Sequence, residues 1–546
     1  MRTTLRRFAA VAAPALVLSG LSFVAAPTAV AAPPYDPAPV AAAAAWDVSQ
    51  MSGNLLSTNF GGTDFKDYGL TADFAISLAD VGGHTGTVSA INGAVKAEID
   101  NYVSDGSTGG ATESYAGPLG KSIVLVKAAG DDPTTYGPLD DVNLVARLED
   151  RVGTGIVNRP LGRIADKSAF GDFANVFGQA YAAQALQAVS SPRAADATSF
   201  LLAQQCTAGF FRLNFAAPGA ADQTCNGATT PAQPDTDVTA YAIIALRSQA
   251  GQPSVDAAIA KALTWLQSSQ KADGSFGGSG PTVASNANST GLAGWALGKS
   301  GATADAEQAA TWLRQHQLAR AGGCTTYATA DRGAVAYDDG ARAAAASTPL
   351  TTTTRGQYVR ATAQALPALQ WAPLGPSTVA EVKQAAGRFT HAGSKVTISA
   401  TSANPGDAVC ISLRGGAPVA SLLADASGAA SATVTLPAGD DTRTYNVIDS
   451  SGQVATYVYN VLDKAAVKIK APKSVKRGKV LVVKISGLAK DEDYKVLIDG
   501  KKAKKATATG EKVTLRLKCG PVGKHKLTVV GAFADRTGKV RYRVTR

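Results

Sequence analysis

The chain has 546 residues, of which 45% are hydrophobic, 17% charged and only 6% aromatic, with a formal net charge of +11. This length predicts two to four domains. Residues 464–546 hold 24 Lys plus Arg against 6 Asp plus Glu, a net of +18 that leaves −7 for the remainder. The basic character therefore belongs to one segment, and its aromatics are only Tyr494, Phe533 and Tyr542, which argues against a nucleic-acid surface built on base stacking.

In chain order, residues 1–32 begin with Arg2, Arg6 and Arg7, continue as an Ala, Val and Leu run and end on Ala29-Val30-Ala31. This is the pattern of a secretory signal peptide; Pro14 and Pro27 bracket an apolar run too short to span a membrane. No later stretch reaches roughly 18 consecutive apolar residues. The mature chain is accordingly expected to be secreted, with no transmembrane segment. Residues 33–38 read as a linker.

From residue 39 to residue 371 the sequence repeats itself. FLLAQQ at 200–205, WLQSSQ at 265–270 and WLRQHQ at 312–317 each place an aromatic before Leu, with Gln five positions on. An Ala-rich amphipathic stretch precedes each copy, as in Ile259, Leu263 and Leu266 at helical spacing, so each copy ends a helix. Six such outer helices are predicted: near 41–50, 88–102, 139–152, 194–205, 255–270 and 303–317. Each is followed by a stretch of small and apolar residues on almost every side, starting near Tyr68, Tyr115, Gly178, Asp237, Asn288 and Gly356. A helix apolar all round is a buried helix. Units of roughly 50 to 65 residues that cannot bury their apolar faces alone must stack, and six antiparallel pairs suggest closure into a ring.

The turn QKADGSFGG after WLQSS resembles the repeat of the squalene cyclase and protein prenyltransferase superfamily, over about residues 39–371. That resemblance implies an (α/α)6 toroid of inner and outer helices. It also implies that Gln270, Asp273, Gly274 and Phe276 tie the outer helix to its turn, a structural rather than catalytic role. Proton-initiated cyclases of that superfamily carry a DxDD acid; the nearest approach here, Asp235-Thr236-Asp237-Val238, lacks the third carboxylate. The prenyltransferase branch binds zinc through Asp, Cys and His, and the four histidines here, His84, His316, His391 and His525, are not placed for that set. No metal and no cofactor are expected, although the inner-helix sequence NANSTGLAGWAL is similar to that of cobalamin carriers, so a cobalamin-like or isoprenoid ligand stays open.

Residues 372–393, with Pro373, Gly375 and Pro376, read as a linker. Beyond it the pattern changes to period-two alternation broken by turn clusters, as in KVTISATS from Lys395, AVCISL from Ala408, SATVTLP from Ser431 and ATYVYNV from Ala455. These are antiparallel strands. The segments 394–463 and 464–546 resemble the immunoglobulin-like modules found at the ends of many exported bacterial proteins, so the expected fold is an all-α toroid followed by two all-β sandwiches. In the second, Val467-Lys468-Ile469-Lys470 sets lysines on one sheet face and apolar residues on the other. A basic face of this kind protects edges and would also attract an anionic cell-wall polymer.

Five cysteines in an exported chain invite disulfides. Cys206 and Cys225 bracket one loop between two helices and are expected to pair; Cys324, Cys410 and Cys519 lie in separate segments, and the odd number leaves a thiol over.

The outer-to-inner loops gather polar residues where they meet the inner helices: Asp172, Asp235, Asp237, Asn286, Asn288, Tyr337, Asp338 and Asp339. These are candidate ligand-binding residues for a small molecule or glycan, and Asp, Asn and Ser at helix starts are equally what capping demands. Tyr337, Asp338, Asp339 and Arg342 also have the residue types of a polysaccharide lyase. Two readings result: a secreted binding protein docked by its basic β modules, or an exported enzyme of the terpene cyclase, prenyltransferase or polysaccharide lyase type.

Overall fold

A computed structural model describes residues 35–106, 112–227, 232–319, 324, 327–375, 381–384, 387–464 and 467–546. The expected signal peptide and residues 33 and 34 lie outside them. Among the described residues the N-terminal region has fourteen α-helices and the C-terminal region is built of strands.

The helices are α1 (Ala38–Gln50), α2 (Tyr68–Val81), α3 (Thr85–Ala97), α4 (Asp100–Val103), α5 (Ala116–Ala128), α6 (Leu144–Arg151), α7 (Val176–Ala188), α8 (Ala194–Ala203), α9 (Thr236–Leu246), α10 (Pro253–Ser269), α11 (Ala287–Lys299), α12 (Thr303–His316), α13 (Asp339–Ser347) and α14 (Arg355–Leu369). Helices α2, α5, α7, α9, α11 and α14 pack each on the next, and α14 packs back on α2. These are the six small-residue stretches. Their glycines let the backbones approach closely: a Cβ on Gly291 would lie 2.3 Å from the carbonyl oxygen of Gln364 in α14, and one on Gly120 would lie 2.8 Å from the Ala182 nitrogen in α7.

Around this circuit α3, α6, α8, α10 and α12 each pack on the inner helix that precedes them in the chain, while α1 packs on α14 and so joins the first helix to the last. The repeated Gln makes each step the same. Gln270 Nε2 donates to the carbonyls of Gly274, in its own turn, and Asp305, in the next outer helix (both 2.9 Å). Gln205 bridges Gly209 to Ala258, and Gln317 bridges Gly333 to Pro39 in α1. The turn glycines have φ of 104°, 86° and 103° at 209, 274 and 333. A side chain there would strike the next helix, since a Cβ on Gly274 would lie 2.4 Å from the Gln308 oxygen. One turn into the inner helix, a threonine hydroxyl takes the amide of the apolar residue after the turn: Thr239 from Phe211, Thr290 from Phe276, Thr362 from Val335.

Two expectations need correction, and one element was not foreseen. The outer helix expected over 88–102 is interrupted, α3 ending at Ala97 and α4 restarting at Asp100. The one expected from 139 starts only at Leu144, where Asn143 caps it by accepting from the Ala146 amide. A hairpin, β1 (Ser57–Phe60) and β2 (Thr63–Lys66), occupies the loop before α2.

The strands that follow are β3 (Glu381–Gln384), β4 (Thr390–His391), β5 (Lys395–Ala400), β6 (Ala408–Leu413), β7 (Pro418–Leu423), β8 (Ala430–Thr435), β9 (Asp441–Asp449) and β10 (Gly452–Leu462). They form a sheet in the order β3-β10-β9-β6-β7, with β4 also on β10, and a β5-β8 pair. Part of the stretch expected as a linker, 372–393, is thus strand: β3 and β4 run parallel to β10. The last strands are β11 (Lys468–Lys470), β12 (Ser474–Lys476), β13 (Val480–Ser486), β14 (Asp493–Ile498), β15 (Lys501–Thr507), β16 (Lys512–Lys518), β17 (Gly523–Val530) and β18 (Thr537–Thr545). They form sheets β12-β18-β17-β14-β15 and β11-β13-β16 around a separate core that includes Leu481, Val496, Leu527 and Tyr542.

The helical and β regions are joined covalently and electrostatically. Cys206 pairs with Cys225 as expected, Cys324 pairs with Cys410 in β6, and Cys519 is the buried free thiol. In α12, Arg314 is buried; its guanidinium meets Asp36 at 2.9 Å and the carbonyls of Pro373 and Pro405 at 2.8 and 2.9 Å. Arg536 plays the same part between the two β units, fully buried and bonded to Glu492 and Asp440, each at 2.9 Å. No helix among the described residues is long and apolar enough to cross a membrane.

Candidate functional site

Three of the eight loop residues singled out from the sequence are helix caps. Asp235 precedes α9 and accepts from the Val238 amide at 2.9 Å, its other oxygen taking the Ser279 hydroxyl. Asn286 precedes α11, accepts from the Ser289 amide and donates to the carbonyls of Thr282 and Ala284, so its polar groups are fully engaged. Asp338 caps α13 through the Ala341 amide. Asp172 stays within its own loop, 3.0 Å from Arg163 and accepting from the amides of Asp166 and Ala174. Asp339 is exposed, 3.0 Å from Arg342 and 3.4 Å from Nε2 of His316. Burial lowers the His316 pKa, and its ring stacks on Trp312 with centroids 3.6 Å apart.

Asp237, Asn288 and Tyr337 are different. Asp237 Oδ1 and Asn288 Oδ1 are buried without a hydrogen-bond partner, as is the Ser289 hydroxyl. Burial, reinforced by the neighbouring charge of Asp235, pushes the Asp237 carboxyl up to about 6, although the Ser289 hydroxyl stands near enough to oppose the shift. Burial and the Asp237 charge in turn raise the Tyr337 phenol. The Tyr337 carbonyl accepts from the Ala287 amide at 2.8 Å, which ties its loop to the start of α11. The structure thus brings Asp235, Asp237, Ser289 and Tyr337 together and leaves Asp172 and Asp339 outside. A buried acid with a raised pKa can hold a proton near neutrality and deliver it.

Between the inner helices lies a polar cluster that the sequence reading missed. Lys121 of α5 meets Asp73 of α2 at 2.7 Å, and the Tyr181 hydroxyl donates to the same Asp73 oxygen at 2.8 Å. The lysine also lies 4.9 Å from the centre of the Tyr181 ring. Tyr181 packs on Tyr241 with centroids 4.0 Å apart, and Tyr241 donates to Gln184 at 3.0 Å. Burial drives both phenols well above their ordinary range. The signal was a charge in the middle of a largely apolar run, Asp73 in YGLTADFAISLAD and Lys121 in YAGPLGKSIVLVKAAG. Among the described residues no group of three or more His, Cys, Asp and Glu is placed to hold a metal.

No protein-family model matches the chain, and no curated protein matches it. Solved structures similar to it include a protein from Actinoplanes, 17% identical over 61% of this chain and 98% of that one, TM-score 0.41. The type II terpene cyclase MstE from Scytonema is 15% identical over 61% of this chain and 97% of its own, TM-score 0.41. The fibronectin(III)-like modules of Clostridium thermocellum CbhA are 16% identical over 30% of this chain and 89% of theirs, TM-score 0.17.

Proposed function

We propose that the protein acts outside the cell, where its last β module holds it on an anionic surface polymer and its helical region, an (α/α)6 toroid, presents a ligand site. The two β units are read as immunoglobulin-like modules. The observation that carries this reading is the cross-strand register of β15, β14, β17 and β18. Lys524 lies directly opposite Arg543, Lys526 opposite Arg541, and Lys495 opposite Lys505. All six side chains are exposed, and no carboxylate among the described residues forms an ion pair with them. Like charges directly opposite one another destabilise a sheet, so the arrangement is a cost to folding that an anionic partner would offset. Two disulfides are compatible with an extracellular setting.

The test is retention of the full mature chain on isolated bacterial cell walls at low and high salt. Binding that is strong at low salt and lost at high salt is expected, because exposed charges are screened. Retention that is absent, or indifferent to salt, removes the proposal.

A second reading is favoured by one observation, the raised and partly unpartnered Asp237. On that reading the protein is an exported enzyme of the terpene cyclase, prenyltransferase or polysaccharide lyase type, with Asp237 as its acid and Tyr337 beside it. Turnover of an isoprenoid or polysaccharide that disappears in Asp237→Asn would support it, and turnover unaffected by that change would remove it.

A further inference from the structure

The ends of the inner helices opposite to the capped loops form a second concavity. The C-terminal turns of α2, α5, α7, α9 and α11 surround a cup of about 350 Å³, at the small end of the range for ligand sites. Most of the connections beyond it are short, at 82–84, 189–193, 247–252 and 300–302, so little of the chain covers the opening. Its walls are apolar, with Ile76, Val124 and Ile244 facing one another from three helices.

The polar groups of the cup are mostly donors. Lys127, Arg247 and Lys299 stand around it, with the Trp295 indole and the Gln184 amide in the wall. Trp295 is only 5% exposed, and its Nε1 donor is buried with no partner. Gln184 accepts from Tyr241 through Oε1, which leaves its amide nitrogen for the cup. The one acid, Asp80, has both oxygens engaged, Oδ1 with Lys299 at 3.0 Å and Oδ2 with Gln370 of the α14 end at 3.1 Å. Lys127 and Arg247 are exposed and make no ion pair among the described residues. Asp132, in the loop after α5, turns its oxygens to Thr134 and Thr135. Cations near helix C-termini also complement the helix dipole, but a dipole does not call for an orphaned indole N–H, which costs free energy when buried.

We propose that this cup binds a small amphipathic anion, a carboxylate or sulfate ester on a short aliphatic body. The apolar walls take the body, Lys127 and Arg247 take the charge, and the Trp295 N–H and Gln184 amide supply directed donors to its oxygens. The site is separate from the basic sheet and from the Asp237 cluster, so it stands or falls without them.

The experiment titrates the full mature chain with octanoate, octyl sulfate and octylamine, following heat and the indole N–H resonance of Trp295, assigned by its loss in Trp295→Phe. Octanoate and octyl sulfate are expected to bind one to one and to shift that resonance. Octylamine, and the anions with Arg247→Gln or Lys127→Gln, should bind at least about tenfold more weakly, the size of one charge-assisted contact. Lys271→Gln, in the turn after α10, should change nothing. Octylamine binding as tightly as octanoate, Arg247→Gln and Lys127→Gln both binding normally, or no shift of the Trp295 resonance at millimolar anion would each overturn the proposal.

Discussion

Charge is arranged in opposite ways in the helical region and in the last β sheet. Among the helices, Asp73 meets Lys121, Asp100 meets Arg147, Asp80 meets Lys299 and Asp36 meets Arg314, each at 3.0 Å or less. In the last sheet Lys524, Lys526, Lys495, Lys505, Arg541 and Arg543 face like charges and solvent. A charge with a partner positions backbone and side chains. One kept unanswered is available to something outside the chain. Lys127 and Arg247 side with the last sheet in this contrast, as exposed cations of the helical region that have no ion pair among the described residues.

The contrast can be broken most severely at Arg314. Arg314→Ala strands Asp36 and two carbonyls in a buried junction and is expected to cost about 3–5 kcal/mol in urea unfolding; a loss well under 1 kcal/mol would mean that the junction does not depend on the pair. Asp237 is the next test, because it is an acid of the helical region whose Oδ1 lacks a partner. Its folded pKa, about 6, lies above the ordinary carboxylate value. The protonated form is therefore favoured by folding, and that stability is present in full below about pH 4 and lost as pH rises through 6. Asp237→Asn should abolish this loss, gaining on the order of 2 kcal/mol over the native chain at pH 8 and little at pH 4. Equal pH profiles would contradict the assignment. Lys299→Ala breaks a partly exposed pair and should cost under about 1 kcal/mol, which thermal unfolding can register. Lys526→Gln, at the other extreme, should raise stability by a few tenths of a kcal/mol by removing a like-charge pair.

The six inner helices were legible because small, all-round apolar runs are a local signal, and the outer helices α8, α10 and α12 because their aromatic-Leu-Gln ends are another. Their boundaries moved where capping decided them, as at Asn143. The Cys206–Cys225 bridge was readable because both residues border one loop; Cys324 and Cys410, 86 residues apart, gave no local sign. Strands β5, β6, β8 and β10 were legible as apolar and β-branched runs between turn clusters, although β6 and β10 bury three and four consecutive residues rather than alternate ones. Strand β15, KKAKKAT, was not, because it is an edge strand exposed along nearly its whole length. Of the loop residues, Asp235, Asn286 and Asp338 followed the capping rule, and what separates Asp237 from them is an oxygen left without a partner, which a sequence does not display. The cup escaped notice because its donors come from four helices and its chemistry lies in what remains unpaired.

The central claim is that the opposed cations of the last sheet are kept for binding at the expense of folding. The direct measurement is the unfolding free energy and the cell-wall affinity of one variant, Lys526→Gln with Arg541→Gln, against the native chain. Stability equal or higher, together with affinity lowered at least about tenfold at low salt and a weaker salt dependence, is the predicted result. Unchanged affinity, whatever happens to stability, would contradict it.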